Sequence, residues 1–582
     1  MVTCGENRQS GAVTTRSNLH ALAPGVAPAL SDLVRRVRES RFPLQTADAQ
    51  AGRALQRDID DQLTDYLLPR VSDTDAPLLV VVGGSTGAGK STLVNSIIGS
   101  EVSNPGVLRP TTRWPVLVHN PEDREYFTSD RILPTLRRVV RAETDLEQPQ
   151  VRLVAHEGVP RGLALLDSPD IDSVLESNRT LARQLLAAAD LWLFVTTAAR
   201  YADAVPWELL KTSVERGTTV AMVLDRVPPQ ANREVRHHLS GLLSDSGLGS
   251  APIFTIPELE LTDGLLPDAA VFPVRSWILN LGMNATARDR VISRTLTGAL
   301  AAVPAKVREL ADIVSGQEDA HQRLHAVVDE EFGRSAADLA ESLADGRVLR
   351  GEVLARWQDF VGTGQFFRGL EPTVARVRDR ITAAVTGKRD AAEPLEQAIE
   401  SSVALLIREQ TVRAVAETAE RWQAYPEGAA LVDERPAMAT LPPQFDAEVG
   451  RIVADWSSGV NDLVREVGQS KRAKARILSF GVNGVGAVLM LAVFAGTGGL
   501  TGAEAGIAGG TAVVAGKLLD TIFGDQVTRD LAQTAREQLV ERARAVLERH
   551  RAPFDQALAD TEVPPRQAGV LRGAGDRLEE TL

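Results

Sequence analysis

Apolar positions change their spacing along the chain, and each change predicts a different kind of structure. Residues 26–75 carry apolar positions at helical spacing, as at Leu30 and Leu33, which predicts amphipathic helices that need a partner. Apolar runs alternate with helical stretches over 76–282, which predicts an α/β domain with a mostly parallel sheet. Strand signals then stop, and helical periodicity over 283–470 predicts an elongated all-α helical bundle.

The α/β region contains short apolar runs that are candidates for strands covered on both faces. They lie at 78–82, 116–118, 151–155, 163–166, 191–195, 220–224 and 253–255.

A long apolar segment follows the helical region. Residues 477–503 carry no charge, a second uncharged stretch covers 505–516, and basic residues flank both ends. A hairpin that dips into or through a membrane, over 471–519, fits this pattern because the flanking positive charges favour the cytosolic side. The alternative is a buried, glycine-rich hairpin in a soluble core.

The remaining segments complete the predicted organisation. Residues 1–25 are polar and predict a disordered tail. Residues 520–562 have an amphipathic pattern that predicts a helix returning to the bundle, and 563–582 predict a second loose tail.

One stretch carries a specific chemistry. It follows the first predicted strand, precedes a predicted helix and fits the pattern G-x-x-x-x-G-K-[ST], which is a phosphate-binding loop in this context. Its backbone N–H groups and helix N-terminus cradle phosphate, its lysine reaches the β- and γ-phosphates, and its serine binds Mg²⁺. The predicted nucleotide-binding residues are Gly84, Ser85, Thr86, Gly87, Ala88, Gly89, Lys90, Ser91 and Thr92.

Further candidates follow the loop in the order that a nucleotide switch requires. Asp167 ends an apolar strand, where a carboxylate can hold the Mg²⁺ shell. Thr111 and Thr112 lie between the loop and this strand, where a threonine can contact Mg²⁺ and sense the γ-phosphate. The predicted catalytic residues are Lys90, Thr111, Thr112 and Asp167, and the predicted metal ligands are Ser91, Thr112 and Asp167.

Composition narrows the function classes. A net charge of −13 argues against a general nucleic-acid binder. Cys4 is the single cysteine, so no intramolecular disulfide framework is possible, and no His/Cys spacing suggests a structural zinc site. The first 24 residues have no apolar core of the signal-peptide type, which predicts a cytosolic N-terminus.

With these motifs the chain resembles Era-like P-loop GTPases of the translation-factor class. The flanking helices and the apolar hairpin make it similar to bacterial dynamin-like proteins, and more closely to the actinobacterial membrane-associated GTPases. The resemblance implies GTP and Mg²⁺ as ligands, a lipid membrane, pairing of heads as a homodimer or with a related GTPase, and membrane remodelling. It also implies a place on the cytoplasmic face of a bacterial cell membrane, anchored through 477–516, and a neck built from 26–70, part of 284–470 and 520–560.

Three positions depart from the family pattern. The Asp-x-x-Gly motif ends in Asp170, and the guanine motif Asn/Thr-Lys-x-Asp is represented by Asp225 and Arg226 but ends in Pro228. Gly87 stands where dynamin-type loops carry a catalytic serine. Arg226 remains able to stack over a base.

These departures keep three hypotheses open. The first is a membrane-associated dynamin-like GTPase that couples GTP binding and hydrolysis to head dimerisation. The second is a nucleotide-gated membrane scaffold with little hydrolysis. The third is a P-loop ATPase, which is disfavoured because Ser168 occupies the place where many ATPases carry glutamate beside the strand-end aspartate.

Overall fold

The structure is a computed structural model of the 582-residue chain. It describes residues 10–73, 75–103, 114–129, 132–133, 136–140, 149–171, 176–344, 347–349, 351–361, 378–467, 482–494, 515, 519–520 and 522–582. The chain divides into two compact units. The first comprises 1–42, 48–316 and 564–582, and the second comprises 43–47 and 317–563.

Eight strands are described, all in the first unit. They are β1 (Leu78–Gly84), β2 (Val116–His119), β3 (Arg137–Val139), β4 (Gln150–Ala155), β5 (Leu163–Asp167), β6 (Leu191–Thr197), β7 (Thr219–Val227) and β8 (Ile253–Pro257).

The described α-helices are numbered in chain order. They are α1 (Ser10–Glu39), α2 (Ala49–Asp61), α3 (Leu68–Ser72), α4 (Lys90–Ile98), α5 (Arg124–Thr128), α6 (Glu176–Ala187), α7 (Ala204–Glu215), α8 (Asn232–Asp245), α9 (Asp268–Met283), α10 (Ala285–Ala344), α11 (Glu352–Val361), α12 (Arg378–Gln423), α13 (Pro426–Glu434), α14 (Phe445–Val467), α15 (Val482–Val493), α16 (Asp525–Asp560) and α17 (Gln567–Thr581). A π-helical turn joins α2 to α3 over Gln62–Leu67, and 3₁₀ turns cover Pro121–Asp123, Pro229–Ala231, Arg347–Leu349 and Pro436–Ala439.

The strands form one sheet in the order β3-β4-β2-β5-β1-β6-β7-β8. Strands β5, β1, β6, β7 and β8 are parallel, whereas β2 is antiparallel to β5 and continues in parallel into β4 and β3. The predicted mostly parallel α/β sheet is therefore confirmed, and all seven predicted strands are present. The pattern missed β3, which has three residues and buries only Val139.

The two faces of the sheet have separate cores, which explains the continuous apolar runs. In β1, Leu79 and Val81 pack into one cluster, and Leu78, Val80 and Val82 pack into the other. Because every position of a strand covered on both faces is buried, the alternation of an amphipathic strand is absent.

The helical part of the first unit differs from the predicted neck at both chain ends. Helix α1 begins at Ser10, within the stretch predicted as a disordered tail. The second predicted tail, 563–582, is also wrong, because α17 buries Leu571 and Leu578 in a core with Val26 of α1 and Val307 of α10. The C-terminal element of this core is therefore α17, and the predicted 520–560 segment belongs to the second unit.

A buried ion pair fixes α3 against the sheet. The Arg70 guanidinium pairs with Asp190, whose Oδ2 also accepts a 2.8 Å hydrogen bond from the Leu79 amide at the start of β1. Arg70 Nη1 donates to the Ala76 carbonyl at 2.7 Å. Because the Asp190 carboxylate is fully buried, its charge requires these donors.

The π-helical turn contains a buried carboxyl group, that of Asp65, with a raised pKa. Asp65 is 4% exposed and its Oδ1 atom has no hydrogen-bond partner, while Gln184 donates to Oδ2 at 3.2 Å. Burial raises the pKa of Asp65 from 3.8 to about 6. The folded state therefore loses stability as the pH rises from about 4 to about 6, because the buried group must ionise.

We expect Asp65→Asn to stabilise the first unit at pH 7.5 by about 2–3 kcal/mol, since a pKa rise of about two units costs about 1.4 kcal/mol per unit. At pH 4 the gain should largely vanish, because the wild-type carboxyl is then protonated. Scanning calorimetry of the full chain from pH 4 to 8 measures the difference. The exposed Asp75→Asn serves as the control, and an equal effect of Asp65→Asn at both pH values contradicts the assignment.

The second unit is a helical bundle around one large core, which confirms the predicted helical region. Its described core buries Trp422, Trp456 and Phe554 together. Both indoles are satisfied, since Trp422 Nε1 donates to the Leu324 carbonyl at 3.1 Å and Trp456 Nε1 donates to the Ala535 carbonyl at 2.9 Å. Buried tryptophans are usually satisfied in this way, because an unpaired N–H costs free energy.

The described part of the apolar segment lies inside this core. Residues 484–494 are buried throughout, and α15 contacts α12, α14 and α16. Ser457 of α14 lies 3.7 Å from the Met490 sulfur, and Arg536 Nε donates to the Val493 carbonyl at 2.9 Å. At Gly486 a Cβ atom would stand 1.8 Å from Asn461 Oδ1, so this glycine permits close approach of two helices.

The structure therefore does not support a membrane hairpin for residues 484–494, which are buried among other helices of the unit. An apolar run is as stable in a helical core as in lipid, because both environments exclude water. Residues 471–481, 495–514 and 516–518 of the predicted hairpin lie outside the described residues. Within the part of the chain that is described, no helix combines the length and hydropathy needed to span a membrane.

Candidate functional site

The phosphate-binding loop connects β1 to α4 at the carboxyl end of the central strand. Gly89 takes a left-handed φ of 88° immediately before α4, a conformation that glycine adopts without strain. The N-terminus of α4 adjoins the loop, where the first N–H groups of a helix and its positive dipole end favour an anion. This backbone conformation is the one that a phosphate-binding loop requires.

Lys90 is held inside the loop. Its ammonium group donates to the Gly84 and Ser85 carbonyls, both at 3.0 Å, and lies 2.5 Å from Asp170 Oδ1. Lys90 and Asp170 are both buried. The Asp170 carboxylate thus forms an ion pair with the ammonium group that would bind a phosphate oxygen. A phosphate that binds in the loop would have to displace this carboxylate from Lys90.

A second cluster joins α4 to the end of β5. Ser91 and Ser103 each donate from their hydroxyl to Asp167 Oδ2, at 2.6 Å in both cases. The other carboxylate oxygen, Oδ1, is buried without a partner. Burial raises the pKa of Asp167, and the two serine hydroxyls act against that shift.

This cluster fits a magnesium ion shared with a nucleotide. Mg²⁺ in such sites takes one or two protein oxygens and completes its shell with phosphate and water. The Ser91 hydroxyl and the unpartnered Asp167 oxygen are suitable protein donors. No group of three or more His, Cys, Asp or Glu side chains that could hold a metal without phosphate occurs among the described residues.

The end of β7 reaches the loop from the other side. Asp225 Oδ2 lies 2.6 Å from the point where a Cβ of Gly89 would stand, so the carboxylate packs directly against the loop. Asp225 Oδ1 is buried without a partner, and burial raises the pKa of this group. Arg226 Nε is 3.7 Å from Asp225 Oδ2, and Arg226 adopts a left-handed φ of 54°. A non-glycine residue held at positive φ often marks a functional segment.

The structure brings Asp167 and Asp225 to the loop, and Arg226 lies beside Asp225. Thr111 and Thr112 lie outside the described residues. Ser103 and Arg200 also contribute to the site, although no sequence pattern predicts them. Arg200 Nη1 donates to the Thr86 carbonyl of the loop at 3.2 Å. Neither residue belongs to a local motif, so only the folded chain places them at the site.

The position after Asp167 also bears on the ATPase hypothesis. The Ser168 hydroxyl donates to the Val82 carbonyl at 2.9 Å and is fully buried. This side chain belongs to the sheet and offers no carboxylate to polarise a water molecule, so the site lacks the feature that would favour an ATPase of the common type.

Comparison with known proteins gives matches in the region of the site. Residues 80–226 match the model of the Dynamin family. A curated relative, named probable transmembrane GTPase FZO-like, chloroplastic, from Arabidopsis thaliana, is 26% identical over 136 residues. That match covers 23% of this chain and 13% of the relative, so the chain spans far less than two thirds of the relative's length.

Two solved chains resemble this one over nearly their whole length. Both come from an oligomerised bacterial dynamin pair described as a mechanism for long-range sensing and tethering of membranes. The first has a TM-score of 0.44 and 9% identity and covers 98% of each chain. The second has a TM-score of 0.38 and 8% identity and covers 100% of this chain and 96% of the other. The segment 80–226, which holds the phosphate loop, Asp167 and Asp225, is similar to the Dynamin family.

Proposed function

We propose that this protein is a membrane-associated, dynamin-like GTPase that couples GTP binding and hydrolysis to pairing of its nucleotide domains. The observation that carries the proposal is the preformed phosphate loop around Lys90 within the segment 80–226 that matches the Dynamin family. The name of the Arabidopsis relative, a probable transmembrane GTPase, supports the same activity class.

The site residues have distinct tasks in this proposal. The backbone of Gly84–Lys90 and the Lys90 ammonium hold the β- and γ-phosphates after Lys90 leaves Asp170. Ser91, Asp167 and either Thr111 or Thr112 hold Mg²⁺, which neutralises phosphate charge when it is bound. Arg226 stacks over the base. Asp225 packs against Gly89 and stabilises the conformation of the loop.

The membrane part of the proposal rests on composition and on the family. We infer that the protein acts on the cytoplasmic face of a bacterial cell membrane, as a homodimer or with a related GTPase of the actinobacterial type. Because residues 484–494 are packed in a core, we assign direct lipid contact to 477–481 and 495–514 of the apolar segment.

A nucleotide-gated scaffold with little hydrolysis is the second candidate. The contact between Lys90 and Asp170 favours it, because a carboxylate beside the γ-phosphate position repels the developing negative charge of the transition state. Gly87 also leaves the loop without the serine that dynamin-type loops carry.

The two candidates differ in phosphate release. For the GTPase, we expect GTP turnover per molecule to rise with protein concentration and with added anionic liposomes, because heads pair on a surface. Phosphate release is measured on the full chain with and without liposomes, and Lys211→Ala, an exposed lysine of the same unit, is the control. Tight GTP binding without phosphate release favours the scaffold. Absence of both nucleotide binding and lipid association contradicts the proposal.

A further inference from the structure

The sheet order shows where the nucleoside must lie. The phosphate loop follows β1, whose neighbours are β5 on one side and β6 on the other. Asp167 and Ser103, the metal-side cluster, lie on the β5 side. Because Asp225 of β7 packs against Gly89, the β6–β7–β8 side adjoins the other end of the loop. A nucleotide with its phosphates in the loop therefore extends its base over the carboxyl ends of β7 and β8.

The side chains of β7 at that edge cannot accept the N1–H and N2–H protons of guanine. Asp225 is buried against the phosphate loop. Arg226 has donors only, so it can stack on a base but cannot accept its protons. Pro228, at the place of the family's acidic residue, has neither donor nor acceptor in its side chain.

The register of β7 and β8 brings another carboxylate, that of Glu258, to the edge of the sheet where Pro228 replaces the family's acidic residue. Val227 and Pro257 are the last partners in the parallel pair, and Pro228 and Glu258 are the residues that directly follow them. Glu258 is exposed, and among the described residues it makes no hydrogen bond or ion pair. Its negative charge also contributes, after burial, to the raised pKa of Asp225.

The chemistry of the base fits such a group. Guanine presents N1–H and the N2 amino group side by side, and one carboxylate accepts both hydrogen bonds. Adenine presents a lone pair at N1, which a carboxylate repels. A site built to accept from both guanine donors discriminates strongly, because the wrong base leaves its polar groups unpaired.

We propose that Glu258 is the base-recognition residue of this site, and that it accepts the N1–H and N2–H protons of guanine in place of the acidic residue that Pro228 replaces. This assignment rests on the proposed nucleotide site. It places the specificity determinant outside the segment 80–226 and on a different strand from the usual motif.

The test is equilibrium binding of fluorescent GTP to the full chain, with unlabelled GTP, ATP and XTP as competitors. Three proteins are compared: wild type, Glu258→Gln and the matched control Glu260→Gln, which changes an exposed glutamate two residues further along. Xanthine carries a carbonyl oxygen where guanine carries N2, so a glutamine amide can donate to it. Circular dichroism and melting temperature establish that each variant is folded.

We expect wild type to prefer GTP over ATP by about 100-fold or more, as for two hydrogen bonds to a charged acceptor. In Glu258→Gln the affinity for GTP should fall about 10- to 100-fold while that for XTP rises, and Glu260→Gln should behave as wild type. If wild type binds GTP and ATP equally, or if Glu258→Gln keeps the wild-type preference, the Glu258 assignment is overturned while the nucleotide site stands. If wild type binds no nucleotide, the proposed function itself is wrong.

Discussion

Replacing Lys90 with alanine is expected to abolish Mg²⁺–nucleotide binding. The ammonium group of Lys90 donates to the Gly84 and Ser85 carbonyls of the loop, both at 3.0 Å. Its loss removes charge-assisted hydrogen bonds to phosphate, and we expect binding to weaken by a factor of about 100 or more. Titration of the full chain with fluorescent nucleotide measures the loss. Retained binding contradicts the assignment of the loop.

Two control variants separate the effect of losing the Lys90 ammonium group from the effect of breaking its ion pair with Asp170. Lys90→Ala also leaves the buried Asp170 carboxylate without its partner, which lowers stability by itself. Asp170→Asn removes the ion pair but keeps the lysine, so we expect nucleotide binding to be retained or tightened, since the competing carboxylate is gone. Lys211→Ala removes an exposed lysine and should leave both binding and melting unchanged. If Asp170→Asn also abolishes binding, the carboxylate itself belongs to the binding machinery.

The substitution Val488→Asp is expected to unfold the second unit or to destabilise it by about 4 kcal/mol or more. Val488 is 1% exposed within α15, and an ionised carboxylate has no partner there. Burying an unpaired charge is among the few single changes that cost this much. Scanning calorimetry of the full chain without lipid measures the effect. Val488→Ala, which only removes apolar contacts, should cost less.

This experiment separates the two interpretations of the apolar segment. If Val488 faces lipid in the working protein, Val488→Asp leaves lipid-free melting unchanged and lowers only co-sedimentation with liposomes. If Val488 lies in the core, melting falls before any lipid is added. Leu405→Asp is the matched control, because Leu405 is 60% exposed in α12 of the same unit and its replacement should leave melting nearly unchanged. Normal lipid-free melting of Val488→Asp contradicts the packing of α15 in the core of the second unit.

Local chemistry explains which features were predictable from sequence. The phosphate loop requires a glycine at positive φ, a lysine within reach of phosphate and a helix start, and these occupy consecutive positions. Continuous apolar runs predicted the strands because both faces of the sheet are covered. These constraints act between near neighbours in the chain, so the order of residues is sufficient to show them.

Long-range contacts explain the features that the pattern missed. The last helix, α17, was not predicted, because its glycines lower the intrinsic helix propensity of the segment. A core shared with α1 and α10 stabilises it. Ser103 and Arg200 reach the site from segments with no motif, since folding alone brings them to Asp167 and Thr86. The three-residue strand β3 depends on pairing with β4.

The sequence by itself determined that this protein has a phosphate-binding loop on a mostly parallel sheet, followed by a large helical region. Only the tertiary structure decided that Lys90 is paired with Asp170, that Val227 of β7 pairs with Pro257 of β8, and that residues 484–494 are packed among helices. The physical reason is that an apolar run has the same composition whether it meets lipid or protein. Likewise, the proposed role of Glu258 depends on the pairing of β8 with β7, and a local sequence pattern does not predict which strands pair.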